Sequence, residues 1–359
     1  MDGLKCVVTG GSGFVGWRLV EMLVERGARE VISFDISPQP EQAVPNPKVK
    51  FVQGDIRKKD VVDSVIQGAD VVFHIAAVVG TFHPKKLYEE VNYDGTMNIL
   101  EACKKFKVKR MVLSGTPSTR FHHGVGISGK GIEEMEMPKK FVAEYARTKA
   151  KAEIAVMNAI TDDFLATCVM PHQVYGPYDT LFMPQLMYVS KKGILRVYGD
   201  GQNEISICYN DNYCHALMLA AEKLYAGSPV VGSSYIVTDG GKYKIWDLLD
   251  EASLYMGYGS IKEKQRIPYF VMMMIATISE FVSKLLGKVS RIQRFTVLML
   301  MIDRWFDISA AERDLGYKPI KPTTEAWPET LQWFKEHEDF LIRKAQAAVE
   351  DVKKKKKRD

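Results

Sequence analysis

Three glycines, Gly10, Gly13 and Gly16, separate a short apolar run from an amphipathic stretch near the start of the chain. Leu4 to Val8 reads as a buried strand ended by glycines. Phe14 to Arg26 reads as a helix with Val15, Leu19, Met22 and Leu23 on one face. Such a turn lets backbone amides approach a pyrophosphate, and the helix N-terminus favours its negative charge. Glycine turns after strands are common, so the motif depends on the strand before it and the helix after it, and both are present. Asp35 closes a second strand, Glu30 to Phe34. A carboxylate there accepts hydrogen bonds from ribose hydroxyls and repels a 2′-phosphate. No arginine follows it, so NAD is favoured over NADP. The competing reading is that Asp35 merely starts a loop.

The alternation continues. Strands are expected at Val49 to Val52, Asp70 to Ile75, Arg110 to Leu113 and Phe164 to Val169. Helices lie between most of them, notably Lys85 to Phe106 and Phe141 to Ile160. This predicts an α/β Rossmann fold, a doubly wound parallel sheet with both faces covered. After Pro177 the pattern changes. Tyr209 to Tyr225 reads as a helix and Tyr235 to Val237 as a late strand returning to the sheet. The expected organisation is a dinucleotide-binding domain over 1–177, rejoined by 209–238. A smaller, mostly helical substrate-binding region spans 178–208 and 239–340, and a basic tail spans 341–359. Two apolar blocks, Tyr269 to Ser279 and Phe295 to Phe306, flank a basic stretch with Lys284, Lys288, Arg291 and Arg294. Neither block reaches the ~18–20 uninterrupted apolar residues of a transmembrane helix.

Composition bounds the partners. Hydrophobic residues make up 46% of the 359, enough for a sizeable core. The net charge is +5, but Lys353 to Arg358 alone carry six positive charges, so the rest is near neutral and does not suggest a nucleic-acid binder. Five scattered cysteines without a C-x-x-C pair argue against a disulfide framework or a metal site and fit a reducing compartment. The opening residues do not read as an export signal. His122-His123 reads as a surface-loop pair, and Asp211 and His215 as capping or packing residues at a helix start.

Tyr145 and Lys149 stand four apart on the long helix and share a face. A tyrosine pKa of ~10 is too high for a base at neutral pH. A nearby ammonium stabilises the phenolate, and a cationic nicotinamide does so further. Tyr145 could then take the proton of an alcohol while hydride leaves for NAD. Alone, such a pair is unspecific.

Together these motifs resemble the extended short-chain dehydrogenases/reductases over nearly the whole chain. Thr9-Gly10-Gly11-Ser12-Gly13-Phe14-Val15-Gly16 resembles the family's glycine motif, and Gly54-Asp55-Ile56 its adenine-contacting turn. His74-Ile75-Ala76-Ala77 resembles the run beneath the cofactor, and Asn92-Tyr93-Asp94-Gly95-Thr96 the central helix. Tyr145-Ala146-Arg147-Thr148-Lys149 resembles the active-site pair. Pro171-His172-Gln173-Val174-Tyr175-Gly176-Pro177 resembles the segment beside the nicotinamide. The resemblance implies cofactor contacts from Gly10, Gly13, Phe14, Val15, Gly16, Asp35, Asp55, Ile56, Ala76, Ala77, Pro171 and Val174, besides Tyr145 and Lys149. It implies a third catalytic hydroxyl among Ser114, Thr116 and Ser118, with Thr116 on the family's register, and a proton-relay role for Asn92. Gly115 and Pro117 depart from the family pattern, and Pro117 restricts Thr116 to extended conformations.

Pro117 and Ser118 stand where nucleotide-sugar dehydratases carry an acid after the catalytic Thr. The N-terminal half alone leaves epimerases open. Phe295-Thr296-Val297-Leu298, Trp305-Phe306-Asp307-Ile308-Ser309 and Asp314-Leu315-Gly316-Tyr317-Lys318-Pro319 resemble the 3β-hydroxysteroid dehydrogenase branch, which includes sterol-4α-carboxylate 3-dehydrogenases. The resemblance implies NAD-dependent oxidation of a sterol 3β-hydroxyl followed by decarboxylation. The alternatives are a 3β-hydroxysteroid dehydrogenase/Δ5-isomerase, a reductase of another apolar ketone, and a non-catalytic NAD-sensing scaffold. Met272, Met273, Met274, Met299 and Met301 are expected to line an apolar sterol pocket. The apolar blocks are alternatively core helices or an interfacial membrane contact with Lys284, Lys288 and Arg291 at the headgroups. Lys356-Lys357-Arg358-Asp359 reads as a solvated end, a lipid-binding run or a dilysine retrieval signal. The last agrees with the cytosolic face of the endoplasmic reticulum membrane; otherwise the chain is expected in the cytoplasm. The oligomeric state stays open, with a homodimer as one expectation.

Overall fold

The computed structural model describes residues 1–80, 83–122, 124–286, 290 and 292–354. His123, Lys288, Arg291, residues 355–359 and the Lys284 side chain lie outside the described residues. Seven parallel strands form the main sheet: β1 (Lys5–Thr9), β2 (Glu30–Asp35), β3 (Val49–Gln53), β4 (Val71–His74), β5 (Arg110–Ser114), β6 (Leu165–Pro171) and β7 (Ser234–Val237). Their order is β3-β2-β1-β4-β5-β6-β7. Each strand expected from the sequence is present, its ends shifted by at most two residues. The central strands are continuous apolar runs because helices cover both faces; all four residues of β4 are buried. The strand order reverses between β1 and β4, which opens a crevice at the carboxyl ends of the strands.

The helix expected from Phe141 to Ile160 is shorter, Glu144–Met157, because Ala143 before it is extended at φ −152° and ψ 156°. The stretch expected as one helix from Lys85 to Phe106 contains a π-helical turn, Glu89–Asp94, between Lys85–Tyr88 and Gly95–Lys105. Wide turns of this kind release backbone groups from the regular ladder and recur at functional sites.

Beyond β6 the chain builds a second apolar cluster around Tyr175, Met183, Trp246, Leu249, Trp327 and Phe334. Helices Met183–Lys191, Ile245–Tyr255, Thr323–Glu336 and Glu338–Lys354 surround it. Two short sheets accompany them. Val174–Tyr175 pairs with Cys208–Tyr209, and a four-stranded sheet runs Tyr243–Lys244, Glu204–Ile205, Arg304–Phe306, Ile127–Lys130.

The second apolar block is not one helix. Arg294–Met299 is helical, and Arg304–Phe306 is a strand of the small sheet. Asp303 makes the difference. Its Oδ1 accepts the Glu204 N–H at 2.8 Å and its carbonyl accepts the Ile127 N–H at 2.8 Å, which pins the chain between two neighbouring strands. The first block forms the helix Tyr269–Leu285. Its Met272 and Ala276 bury against Val297, while Phe270, Met274, Ile278, Phe281 and Leu285 are exposed. Among the described residues no helix is long and apolar enough to cross a membrane.

Candidate active site

The glycine turn is held by geometry that admits no side chain. Gly10 sits at φ +74°, and a Cβ there would lie 2.8 Å from the Ala76 nitrogen; a Cβ on Gly16 would lie 1.9 Å from the Gly10 carbonyl oxygen. Gly10 and Gly11 donate to the Phe34 carbonyl at 2.8 and 3.2 Å, tying the turn to β2. Gly13 then precedes the helix Phe14–Glu25, so the first-turn amides of Phe14, Val15 and Gly16 face the crevice end of the sheet. Asp35 closes β2 beside the turn, where its carboxylate accepts N–H bonds from Ser12 at 3.0 Å and Ser37 at 2.8 Å. The Ser12 Oγ is buried without a partner among the described residues. An orphaned hydroxyl in a cradle that a Cβ would fill suits a pyrophosphate at the helix N-terminus.

Asp55 and Ile56 follow β3. The Asp55 carboxylate is clasped by Arg57 at 2.6 Å and held below its usual range; burial opposes the shift and the Arg57 hydrogen bonds outweigh it. Ile56 is buried against Gly95. Ala76 and Ala77 follow β4, with the Ala76 N–H donating to Thr9 Oγ1 at 3.2 Å. Thr9 in turn meets His74 Nδ1 at 2.7 Å, and His74 Nε2 meets Thr96 Oγ1 at 2.9 Å. Thr96 donates its own proton to the Asn92 carbonyl at 2.8 Å. That fixes His74 as the Nε2–H tautomer, neutral because burial and the charge of Lys149 push its pKa down to about 3. Pro171 ends β6, and Val174 lies in the short strand beside Cys208.

Tyr145, Lys149 and Thr116 converge, but not quite as the sequence suggests. Burial raises the Tyr145 phenol to about 12, and a hydrogen bond from Thr116 pulls it part of the way back. The Lys149 ammonium donates instead to the Ser114 carbonyl at 2.6 Å. Burial lowers its pKa, and the negative charge of Glu153 opposes that. Burial thus sets the direction of the shift at Tyr145. Thr116 is extended at φ −159° and ψ 135°, as Pro117 requires, and caps the one-turn helix Pro117–Arg120. Its hydroxyl lies 3.0 Å from Ser118 Oγ. Asn92 is buried, but its amide is engaged by both backbone groups of Val78, at 2.7 and 3.1 Å, and by Thr148 at 3.3 Å. It braces the helix beside Lys149 rather than reaching the ammonium.

Two features here are not visible in the sequence. Arg120 and Glu153 form a bidentate pair with both N–O distances at 2.6 Å and exposures of 9% and 3%, and Ser234 Oγ adds a third bond to the carboxylate at 2.8 Å. This clamps the end of the Thr116 turn to the catalytic helix, one turn past Lys149. The second is Arg304. It is buried, donates to His172 Nε2 at 2.9 Å and to the Met299 carbonyl at 2.6 Å, and leaves Nε without a partner. Among the described residues no carboxylate pairs with it. Burial alone lowers its pKa to about 10, so it stays charged at neutral pH.

A cavity of ≈ 330 Å³ joins Tyr145 and Thr116 to Arg304, with Phe121, Leu186 and Phe295 among its apolar walls. Of the five methionines expected to line it, Met299 does; Met272, Met273 and Met301 pack in a separate small cluster, and Met274 is exposed. His122 is exposed. Asp211 pairs with Arg18 at 2.9 Å, and the His215 ring lies 6.4 Å from that of Tyr317, so both serve packing in the helix Asn210–Lys223.

A family model described as the 3-beta hydroxysteroid dehydrogenase/isomerase family matches residues 7–268. The 3beta-hydroxysteroid-dehydrogenase/decarboxylase isoform 2 of Arabidopsis thaliana is 33% identical over 350 residues. The match takes in 92% of this chain, which spans 62% of the length of that protein. The decarboxylating sterol-4-alpha-carboxylate 3-dehydrogenase of Homo sapiens is 30% identical, with 92% of this chain and 88% of that protein covered. A 2-alkyl-3-oxoalkanoate reductase of Stenotrophomonas maltophilia is 33% identical, with 88% and 95% covered. Among solved structures, an epimerase from Methanothermobacter thermautotrophicus superposes with a TM-score of 0.72 at 21% identity, covering 95% of both chains. A dTDP-glucose 4,6-dehydratase from Bacillus anthracis, in complex with NAD, gives 0.71 at 18% identity, covering 94% and 98%. At such identities these structures bear on the fold.

Proposed function

The chain belongs to the 3-beta hydroxysteroid dehydrogenase/isomerase family, and from that premise we propose that it oxidises the 3β-hydroxyl of a sterol bearing a 4α-carboxylate, with NAD as oxidant and decarboxylation following. The observation that carries the carboxylate is Arg304, a buried guanidinium that no carboxylate among the described residues pairs with, on the wall of an otherwise uncharged pocket. A buried charge needs a partner, and an arginine fork matches a carboxylate.

NAD, when bound, supplies the hydride acceptor and a positive charge near the phenol. Tyr145 then takes the C3 hydroxyl proton, Thr116 orients that oxygen, and Lys149 adds cationic charge beneath. The resulting ketone is β to the carboxylate. The C4–carboxyl bond breaks, its electron pair passes to the ketone oxygen, carbon dioxide leaves and a proton completes the product. Asn92 holds Thr148, the residue before Lys149, in register.

The Stenotrophomonas relative supports a second reading, because its named substrate is also a β-keto acid. On that reading the pocket takes an open-chain alkyl acid. The exposed face of Tyr269–Leu285 supports membrane association: Phe270, Met274, Ile278, Phe281 and Leu285 form an apolar stripe suited to the headgroup boundary, on the cytosolic face of the endoplasmic reticulum in this reading. The test of function is NADH and carbon dioxide release from a 4α-carboxysterol, a Δ5-3β-hydroxysteroid and a 2-alkyl-3-hydroxyalkanoate side by side. Oxidation of the first with release of carbon dioxide is expected. Turnover confined to either of the others refutes the proposal.

A further inference from the structure

We infer that His172 is a positioning residue for the substrate carboxylate: a locked, uncharged acceptor that holds the Arg304 guanidinium at the pocket wall without neutralising it. This rests on the reading of Arg304 given above and adds the residue that makes it work.

The ring has one possible protonation pattern. His172 Nδ1 stands 2.6 Å from the Ser206 carbonyl oxygen, which can only accept, so Nδ1 carries the proton. Nε2 is then a lone pair and accepts from Arg304 Nη1 at 2.9 Å. The edge-on ring of Phe306, 4.9 Å away, fixes the imidazole plane. Ser206 also sets the strand that carries the arginine: its N–H donates to the Arg304 carbonyl at 2.9 Å, and its hydroxyl accepts the Phe306 N–H at 3.1 Å. One residue thus orients the imidazole and registers the guanidinium against it. Burial and the facing charge of Arg304 push His172 down to about 3, so it is neutral across the working range of an enzyme.

The choice of acceptor matters chemically. A carboxylate at position 172 would orient the guanidinium equally well, but it would form an ion pair and take two of the five N–H donors. A neutral imidazole takes one donor and no charge. The Met299 carbonyl takes a second, again without charge. The full positive charge and the donors not taken by these two acceptors are left for an anion entering the pocket.

The test uses the full chain and two sterols differing only at C4, one with a 4α-carboxylate and one with a 4α-methyl group. Their Kd values are measured as dead-end complexes with NADH. His172→Glu supplies the internal carboxylate. It is expected to weaken the carboxylated sterol by roughly ten- to a hundredfold, as for loss of a charged hydrogen-bonded contact, and to leave the methyl sterol nearly unchanged. His172→Leu, which removes the acceptor without adding charge, is expected to lose the same preference more mildly and serves if the glutamate variant fails to fold. Equal weakening of both sterols, or a preserved preference in the folded variants, overturns the role of His172 alone. A wild-type chain with no preference for the carboxylated sterol overturns the Arg304 reading as well.

Discussion

Arg120→Met is the perturbation that tests most directly how the site is held. It removes both nitrogen partners of Glu153, leaving a carboxylate that is 3% exposed with the Ser234 hydroxyl as its remaining partner. Removing one member of a buried ion pair costs about 3–5 kcal/mol, because the survivor stays desolvated. With an unfolding entropy of about 2.1 cal/mol/K per residue over 359 residues, this corresponds to a fall in Tm of roughly 4–7 °C. The clamp also ends the turn that begins at Thr116, so kcat for NADH production should fall while Kd for NAD holds, since the glycine turn lies between β1 and the helix Phe14–Glu25. Thermal denaturation followed by circular dichroism, with steady-state kinetics, reads both. The decisive comparison is Arg120→Met with Glu153→Met added. Well-packed apolar replacements of a buried pair are often neutral or stabilising, so the double variant should recover most of the lost Tm. A single variant with unchanged Tm, or a double variant at least as unstable as the single, refutes the assignment of the cost to a stranded charge.

Two further outcomes are expected. In the absence of cofactor, the tyrosinate signal assigned by difference from Tyr145→Phe should emerge only near pH 12, and NAD should move it down; the same variant should bind NAD yet produce no NADH. A Tyr145 that already titrates near 10 without cofactor would contradict the dominance of burial there. Phe270→Glu with Ile278→Glu should weaken binding to anionic vesicles several-fold in a sedimentation assay while leaving turnover of a detergent-dispersed sterol intact, because both side chains are exposed and neither lines the cavity. Undiminished vesicle binding removes the helix Tyr269–Leu285 from the membrane reading.

The parts legible in the sequence are those set by local pattern. β1 and β4 are built on short apolar runs, Cys6 to Val8 and Val71 to Phe73, and Gly10 to Gly16 mark the turn because backbone contact there excludes a Cβ. Tyr145 and Lys149 are paired by helix periodicity. The rest depends on contacts between distant positions. Arg120 and Glu153 are 33 residues apart, and His172 and Arg304 are 132 apart. No local signal joins them. Arg304 is further hidden because it lies inside an apolar block, where Asp303 converts the expected helix into a strand. Two-residue strands such as Glu204–Ile205 are too short to carry a periodicity. The contact of Lys149 with the Ser114 carbonyl is likewise invisible in its spacing from Tyr145, since it joins the helix to the end of β5.

The hydrogen-bonded ladder under the cofactor crevice has a consequence for proton traffic. A wire conducts protons by reversing every bond along it, each donor becoming an acceptor in turn. Between Ala76 and Asn92 that reversal is blocked at both ends, by a peptide N–H that cannot accept and a carbonyl that cannot donate. Thr9, His74 and Thr96 are therefore poled in one direction and insulate the floor of the site. The hydroxyls beside Tyr145 differ: Thr116 and Ser118 lie 3.0 Å apart with either able to donate, and both line the cavity, so that bond can reverse where the ladder cannot.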